Sequence, residues 1–270
     1  MTEVAKRTLT TIFLFFFLSF LFFFGNNIVF IFFISIVSIY SFYEWMLLSS
    51  KHTIFLPIFF TLNFLLYYFD IINTYYLSII SLLVWAILIY SIILLSNQMK
   101  AFIRKYHMII GFFIFSSFFL LLINLHPHDT AITSDSTLVD NKHYFLFFII
   151  LISSIDIFAY ICGKAFGKNK IVPSLSPNKT LEGYLGSLSL TLLFFISFFN
   201  INNLIWTYLD IFYLISIIFL AFFGDLFMSF IKRTYNIKNT SNILPGHGGI
   251  LDRLDSYFPT LPLFYLWLMT

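Results

Sequence analysis

The fold and the candidate site meet in residues 204–255, which read LIWTYLDIFYLISIIFLAFFGDLFMSFIKRTYNIKNTSNILPGHGGILDRLD. Residues 204–224 are an apolar run of the length that crosses a bilayer, about 20 residues of helix. Acids, bases and glycines follow directly, although only 10% of the whole chain is charged. Charged groups at the edge of an apolar segment are costly, so they usually have a function. We predict a membrane helix that leads into a polar site at one face of the bilayer.

The composition of the remaining chain indicates an integral membrane protein. It is 60% hydrophobic, with a mean hydropathy of +0.94 and Phe at 40 of 270 positions. One soluble core cannot bury so much apolar surface, and the alternating pattern of barrel strands is absent. We therefore predict an all-α polytopic membrane protein with about nine transmembrane helices. The predicted spans are 8–25, 28–48, 53–69, 75–96, 107–125, 143–162, 184–200, 204–224 and 257–270.

The basic residues of the loops predict the orientation of these spans. With a cytoplasmic N-terminus, 14 of the 15 Lys and Arg residues face inward, and only Lys142 faces outward. Such an excess follows the positive-inside rule. We predict a multi-pass protein of the bacterial inner (cytoplasmic) membrane. Residues 1–142 are predicted to be N-terminal transmembrane helices, and residues 143–270 a catalytic transmembrane region with two cytoplasmic loops.

The polar segment after residue 224 carries a closely spaced pattern. A serine is followed by Lys-Arg, by a second lysine, and then by Pro-x-His-Gly-Gly and Asp-Arg-x-Asp. This pattern resembles the signature of the CDP-diacylglycerol synthases, also called phosphatidate cytidylyltransferases. Asn239 departs from it, because the family usually has Asp there. The pattern falls on Ser229, Lys232, Arg233, Lys238, Asn239, Pro245, Gly246, His247, Gly248, Gly249, Asp252, Arg253 and Asp255.

The loop of residues 156–186, DIFAYICGKAFGKNKIVPSLSPNKTLEGYLG, resembles a second and less strict pattern of the same family. Ala159, Gly163 and Gly167 recur every fourth residue, which is typical of close helix packing. Ser176 before Pro177 is typical of a helix N-cap with proline at the first helical position. We expect Ser176, Asn178 and Lys179 to form an anion-binding helix start. An ordinary capped helix is the alternative.

The residue types of the two loops suit binding of polyphosphate and metal. Asp225, Ser229 and Lys232 would share one face of a helix that continues past residue 224. The glycines of residues 246–249 let backbone amides approach a phosphate closely. We predict Asp225, Asp252 and Asp255 as ligands of Mg²⁺, with a second cation left open. The alternative is a purely structural role, in which these charged residues form salt bridges that hold the loops together. The candidate phosphate-binding groups are Ser176, Asn178, Lys179, Ser229, Lys232, Arg233, Lys238, Gly246, His247, Gly248, Gly249 and Arg253.

The resemblance implies transfer of a cytidylyl group from CTP to phosphatidic acid, giving CDP-diacylglycerol and pyrophosphate. No deprotonating base is needed, because the attacking phosphate is already ionised. The expected partners are CTP, phosphatidic acid and membrane lipid, without nucleic acid, and a homodimer is left open. A CTP-dependent polyprenol or lipid kinase, a related nucleotidyltransferase and an anionic-solute transporter are the alternatives. Asp156, Glu44 and Glu182 are weaker site candidates, and Trp45 is interpreted as an interfacial anchor.

Overall fold

The computed structural model describes residues 27–49, 55–94, 97–125, 142–201, 205–237, 240–241, 243 and 248–270. These residues form helices, and they contain no β-strand beyond an isolated bridge between Lys170 and Thr180. The predicted all-α class is confirmed. The helices are α1 (Asn27–Leu48), α2 (Phe55–Tyr68), α3 (Thr74–Leu94), α4 (Asn97–Asn124), α5 (Lys142–Phe166), α6 (Leu181–Ile201), α7 (Tyr208–Thr234), α8 (Leu251–Leu254) and α9 (Tyr257–Met269).

Six of these helices, α1 and α3 to α7, are long and apolar enough to cross a membrane. This makes the chain a multi-pass membrane protein. Helix α2 matches the predicted span 53–69 but has only 14 residues, and α9 has 13. The predicted span 8–25 lies outside the described residues. The total of about nine transmembrane helices therefore stays a prediction, as does the division of the chain at residue 142.

Helix α7 is the element that carries the candidate site into the polar region. It runs for 27 residues, ten residues beyond the predicted end at 224. At 1.5 Å per residue it is about 40 Å long, whereas the hydrocarbon layer is about 30 Å thick. Its start is fixed by Asp210, whose Oδ2 accepts a hydrogen bond of 2.6 Å from the Thr207 amide. A helix fixed there places Lys232 well past the apolar run.

Two sets of helix contacts surround the site. Helices α5 and α6 pack against each other most extensively, while α9 packs against α3, α4 and α7. The α5–α6 contact is close because its residues are small: a Cβ on Gly183 would lie 2.9 Å from the Ala159 carbonyl oxygen and 3.1 Å from the Gly163 Cα. The predicted packing role of Ala159 and Gly163 is confirmed. Close packing holds the two ends of the loop between α5 and α6 together.

Trp45 is not an interfacial anchor, so that interpretation was wrong. Its side chain is fully buried, and its ring stacks on His107 with the centroids 4.5 Å apart. The indole Nε1 donates a hydrogen bond of 3.0 Å to the His107 carbonyl oxygen. Because the polar edge of the ring finds its partner inside the protein, it does not need the membrane surface. Trp45 instead joins α1 to α4 next to Glu44.

Gly111→Ala is expected to destabilise the α1–α4 contact. A Cβ at residue 111 would overlap the Trp45 ring, which is fully buried and cannot move aside. Overpacking of this kind costs about 1–3 kcal/mol. Thermal unfolding in detergent should therefore occur at a lower temperature. Ile109→Ala is the control, since Ile109 lies on the same helix and is 68% exposed. An unchanged unfolding temperature for Gly111→Ala would contradict the packing.

Candidate active site

A pocket of about 490 Å³ joins the two loops predicted from the sequence. Its walls come from α5, the loop before α6, α6, α7 and the segment around α8. Eight of the predicted site residues line it, and so does the weaker candidate Asp156. The predicted residues in the lining are Ser176, Asn178, Lys179, Asp225, Lys232, Asp252, Arg253 and Asp255.

The remaining predicted residues fall into two groups. Ser229, Arg233, Gly248 and Gly249 are described but do not line the pocket, and Arg233 is exposed to solvent. Lys238, Asn239, Gly246 and His247 lie outside the described residues. The predicted shared face of α7 therefore holds for Asp225 and Lys232 at the pocket. The roles of all these residues stay predictions.

Lys179 and Asp225 connect the two loops directly. The Lys179 Nζ forms a salt bridge with the Asp225 carboxylate, although the residues lie on the α5–α6 loop and on α7. The same Nζ lies 5.2 Å from the ring centroid of Phe222, one turn earlier on α7. Both charged side chains are about a quarter exposed, at 24% and 29%. The pair is therefore open to the pocket, where an anionic ligand can reach the lysine.

Lys232 and Asp252 form a second pair at the other side of the pocket. The Lys232 Nζ donates to Asp252 Oδ1 at 2.7 Å, and the side chains are only 16% and 10% exposed. Asp252 Oδ2 accepts three further hydrogen bonds, from the Thr240 amide (3.1 Å), the Thr240 hydroxyl (3.0 Å) and the Gly249 amide (3.1 Å). The orientation of this carboxylate is thus fixed by donors on both oxygens.

Hydrogen bonding decides the protonation of Asp252. Burial by itself raises its pKa, but the hydrogen bond and positive charge of Lys232 act in the other direction, together with the amides of Thr240 and Gly249. The net result is a pKa below the ordinary value, since these groups favour the charged form. Asp252 therefore stays ionised at neutral pH and presents a fixed negative charge.

Asp255 lies in a different environment, among other acids. Burial raises the pKa of Asp255 well above its ordinary value, and the negative charges of Asp225 and Asp156 raise it further. Gly224 allows this proximity, because a Cβ there would lie 2.5 Å from the Asp255 carbonyl oxygen. Both effects disfavour the charged form of Asp255, and a cation bound nearby would favour it.

The pocket offers only oxygen ligands from its acids, which is the donor type that Mg²⁺ prefers. Among the described residues, however, no three Asp, Glu, His or Cys side chains converge closely enough to hold one ion together. Two of the predicted ligands, Asp225 and Asp252, are each paired with a lysine instead. An ion at this site would complete its coordination with substrate phosphates and water, as Mg²⁺ commonly does. The donor set fits the ion, and the ligand set stays a prediction.

The predicted helix start at Ser176 and Pro177 was wrong. Helix α6 begins at Leu181, and the Lys179 amide donates to the Ser176 carbonyl oxygen at 3.3 Å in a turn. The cap is Thr180, whose Oγ1 accepts from the Gly183 amide at 3.2 Å. Cross-loop bonds compete with helix there, because the Ile171 amide donates to the Lys179 carbonyl oxygen at 3.1 Å. Ser176 and Asn178 reach the pocket from a turn, and Lys179 supplies the positive charge.

Glu182 holds this turn in place. Its carboxylate accepts hydrogen bonds from the Lys168 amide (3.0 Å) and from the Asn169 amide (3.1 Å) and side chain (2.8 Å). The loop is therefore closed at its base, next to the start of α6. Glu182 does not line the pocket, so its observed contacts are structural.

The sequence did not indicate several residues at the pocket. Thr240 and Ser241 hydrogen bond to buried acids, but a Thr-Ser pair in a polar segment is common and carries no distinctive pattern. Tyr184, Ser187 and Phe222 line the pocket from within predicted spans, where they resemble ordinary packing residues. Glu44 was a weaker candidate, and its signal was its charge within an apolar run.

A family model described as "Cytidylyltransferase family" matches residues 5–270, almost the whole chain. The chain belongs to the cytidylyltransferase family. The match covers both loops that form the pocket, so the resemblance stated from the motifs is confirmed.

Curated relatives within this family are similar to about half of the chain. A phosphatidate cytidylyltransferase of Staphylococcus haemolyticus is 42% identical over 142 residues, which are 50% of this chain and 52% of that protein. The same-named protein of Staphylococcus aureus (strain COL) is 40% identical over 136 residues, 48% of this chain and 50% of the relative. That of Bacillus subtilis is 42% identical over 128 residues, 46% and 47% respectively. The chain spans about half the length of the curated relatives it matches.

Proposed function

We propose that this cytidylyltransferase-family protein transfers a cytidylyl group from CTP to phosphatidic acid, releasing pyrophosphate and forming CDP-diacylglycerol. The printed names of the relatives support this substrate pair. The observation that carries the proposal is that Lys179, Lys232 and Arg253 line the same pocket as Asp225, Asp252 and Asp255. Bases bind the phosphates of two anionic reactants, and acids bind the cation that accompanies them.

The reaction needs alignment and charge neutralisation more than proton transfer. A phosphate oxygen of phosphatidic acid forms a bond to the α-phosphorus of CTP, and the bond from that phosphorus to the bridging oxygen of the leaving pyrophosphate breaks. Bound Mg²⁺ would supply neutralisation of the triphosphate charge. The lysines hold the reacting phosphates in line, which is the main source of catalysis in such transfers.

We assign the residues as follows. Lys179 exchanges its salt bridge with Asp225 for a substrate phosphate. Across the pocket, Lys232 exchanges its salt bridge with Asp252 for a second phosphate, while Asp252 keeps its three other hydrogen bonds. Arg253 neutralises the leaving pyrophosphate. Asp225, Asp252 and Asp255 are the residues that would hold the magnesium ion. Ser176 and Asn178 add polar groups from the turn that carries Lys179.

The site is proposed to face the cytoplasm, with the N-terminus on the same side. Several basic residues lie at the pocket end of the bundle, which favours this orientation by the positive-inside rule. The Arg104 guanidinium near the start of α4 donates to the Thr234 carbonyl oxygen at the end of α7. Lys100 and Lys105 lie on the same first turns of α4, so they share this end. A bacterial inner membrane suits both the soluble nucleotide and the lipid acceptor.

CTP labelled at either the α- or the γ-phosphorus tests the proposal. The purified protein in detergent is supplied with phosphatidic acid and Mg²⁺, and label is measured in the lipid phase. The α-label should enter the lipid only when phosphatidic acid and Mg²⁺ are both present, and the γ-label should leave as pyrophosphate. Transfer of the γ-label to lipid would instead identify a kinase. Absence of any CTP turnover would contradict the proposal, and solute uptake without CTP into vesicles that contain the reconstituted protein would support a transporter.

A further inference from the structure

Glu44 is a fully buried acid that the proposed reaction does not use. It lies near the end of α1, outside the pocket lining, and its side chain is 0% exposed. Burial of a carboxylate is costly unless its oxygens are hydrogen bonded. The residues that satisfy this one lie about 200 positions later in the chain, and they are Thr240, Ser241, Ile250 and Leu251. Its contacts therefore connect the first described helix to residues that closely precede Asp252.

Four donors from residues 240–241 and 250–251 contact the Glu44 carboxylate. The Ser241 hydroxyl and the Ile250 amide donate to Oε1 at 2.6 and 3.1 Å. The Leu251 amide donates to Oε2 at 2.8 Å, and the Thr240 hydroxyl lies 3.1 Å from the same oxygen, so that its single proton is shared between Glu44 and Asp252. Both oxygens are thus engaged, and residues 240–241 and 250–251 meet at this one carboxylate.

The same part of the chain supplies the hydrogen-bond donors of Asp252 Oδ2. Thr240 and Gly249 donate to Asp252 Oδ2, and the Thr240 Oγ1 lies 3.0 Å from that oxygen and 3.1 Å from Glu44 Oε2. The two carboxylates are therefore linked through Thr240. A change in the position of Thr240 at Glu44 must alter its bonds to Asp252.

Helix α8 depends on this arrangement because it has only four residues. One turn of helix is not stable by itself, since nucleation costs more than a single turn returns. The amides of Ile250 and Leu251, at its start, have no earlier helical turn to accept them and bond to Glu44 instead. Gly249 is needed beside them, because a Cβ there would overlap the Glu44 and Thr240 side-chain oxygens.

We propose that Glu44 is a positioning residue, which fixes residues 240–241 and 249–251 and thereby orients Asp252 toward the pocket. The inference about kinetics rests on the proposed cytidylyl transfer. The inference that Glu44 holds residues 240–241 and 249–251 in place does not rest on that function, because it concerns hydrogen bonds that exist without substrate.

Glu44→Gln is the test variant, since it keeps the size of the side chain. An amide offers one oxygen and one NH₂ group, so two of the four donors lose their acceptor. Loss of such outer contacts typically lowers activity by about 10–100-fold, and we expect this loss in kcat. The KM for phosphatidic acid should stay unchanged, because Glu44 does not reach the pocket. Hydrogen exchange of the peptide covering residues 248–255 should become faster in the same variant.

Ser41→Ala is the matched control. Ser41 is also fully buried on α1, but its hydroxyl bonds to the Val37 carbonyl oxygen of its own helix. It should change neither kcat nor the exchange of residues 248–255. Unchanged exchange and kcat in folded Glu44→Gln would overturn the proposal, and so would equal effects in Ser41→Ala.

Ser241→Ala decides the question if Glu44→Gln does not fold. It removes the shortest of the four bonds and leaves Asp252 and its own partners intact. Faster exchange at residues 248–255 with a lower kcat supports the proposal, and wild-type behaviour overturns it. If the wild-type protein transfers no label, the proposed function fails, while the exchange measurements still decide whether Glu44 positions residues 240–241 and 249–251.

Discussion

Asp252→Asn is expected to lower cytidylyl transfer by about 100- to 1,000-fold, the effect of removing one fixed charge-stabilising group from an active site. Asn has nearly the same shape but no charge, and its NH₂ group takes the place of one acceptor oxygen. In the place of Oδ2, the NH₂ group would face the three donors of Thr240 and Gly249. We therefore expect it in the place of Oδ1, beside Lys232. The lysine then loses its acceptor and the proposed magnesium site loses a ligand. Transfer of α-label from CTP to lipid, with thermal unfolding in parallel, measures the effect.

The control for Asp252→Asn is Asp70→Asn. Asp70 occupies the turn after α2 in a left-handed conformation, with φ of 47°, which Asn also tolerates. This change removes one negative charge without touching the pocket, so activity and stability should match the wild type. Asp252→Asn that folds and keeps most of its activity would reject the role assigned to Asp252.

Lys179→Ala is expected to lower transfer by about 100-fold or more, because it removes a cation that would hold a reacting phosphate. It also leaves the Asp225 carboxylate without its salt-bridge partner, which is costly for a group only 29% exposed. Lys179→Arg should recover part of the activity, since it keeps the charge but not the shape. Initial rates at varied CTP and phosphatidic acid separate the effect on kcat from the effect on KM.

Lys170→Ala is the matched control for Lys179. Lys170 lies in the same loop and carries the same charge, but it is exposed and does not line the pocket. Its bridge to Thr180 is made by the backbone, so an alanine preserves it. Equal losses of activity in the two variants would show that the charge of the loop matters in general, and would contradict a specific role for Lys179.

Much of the site was predictable because its residues are charged, whereas the chain as a whole contains few charged residues. Asp225, Lys232, Asp252 and Asp255 stand out beside apolar helices, and the last three also belong to the family motif. Their convergence with Lys179 on one pocket followed from placing both loops on the same membrane face. The predicted helix start at Ser176 failed, because propensity for a cap is weak compared with the cross-loop hydrogen bonds that set the start of α6 at Leu181.

The sequence by itself determined that this protein is helical, crosses a membrane several times and carries the motif of its family. These properties follow from local hydropathy and from residue identity at fixed spacing, which need no knowledge of distant contacts. Only the tertiary structure decided which donors satisfy each buried acid. Glu44 accepts hydrogen bonds from residues that closely precede Asp252, and Trp45 stacks on His107, because helix packing brings residues far apart in sequence within bonding distance. Such pairings depend on how helices cross, and the pattern along any one helix does not contain that information.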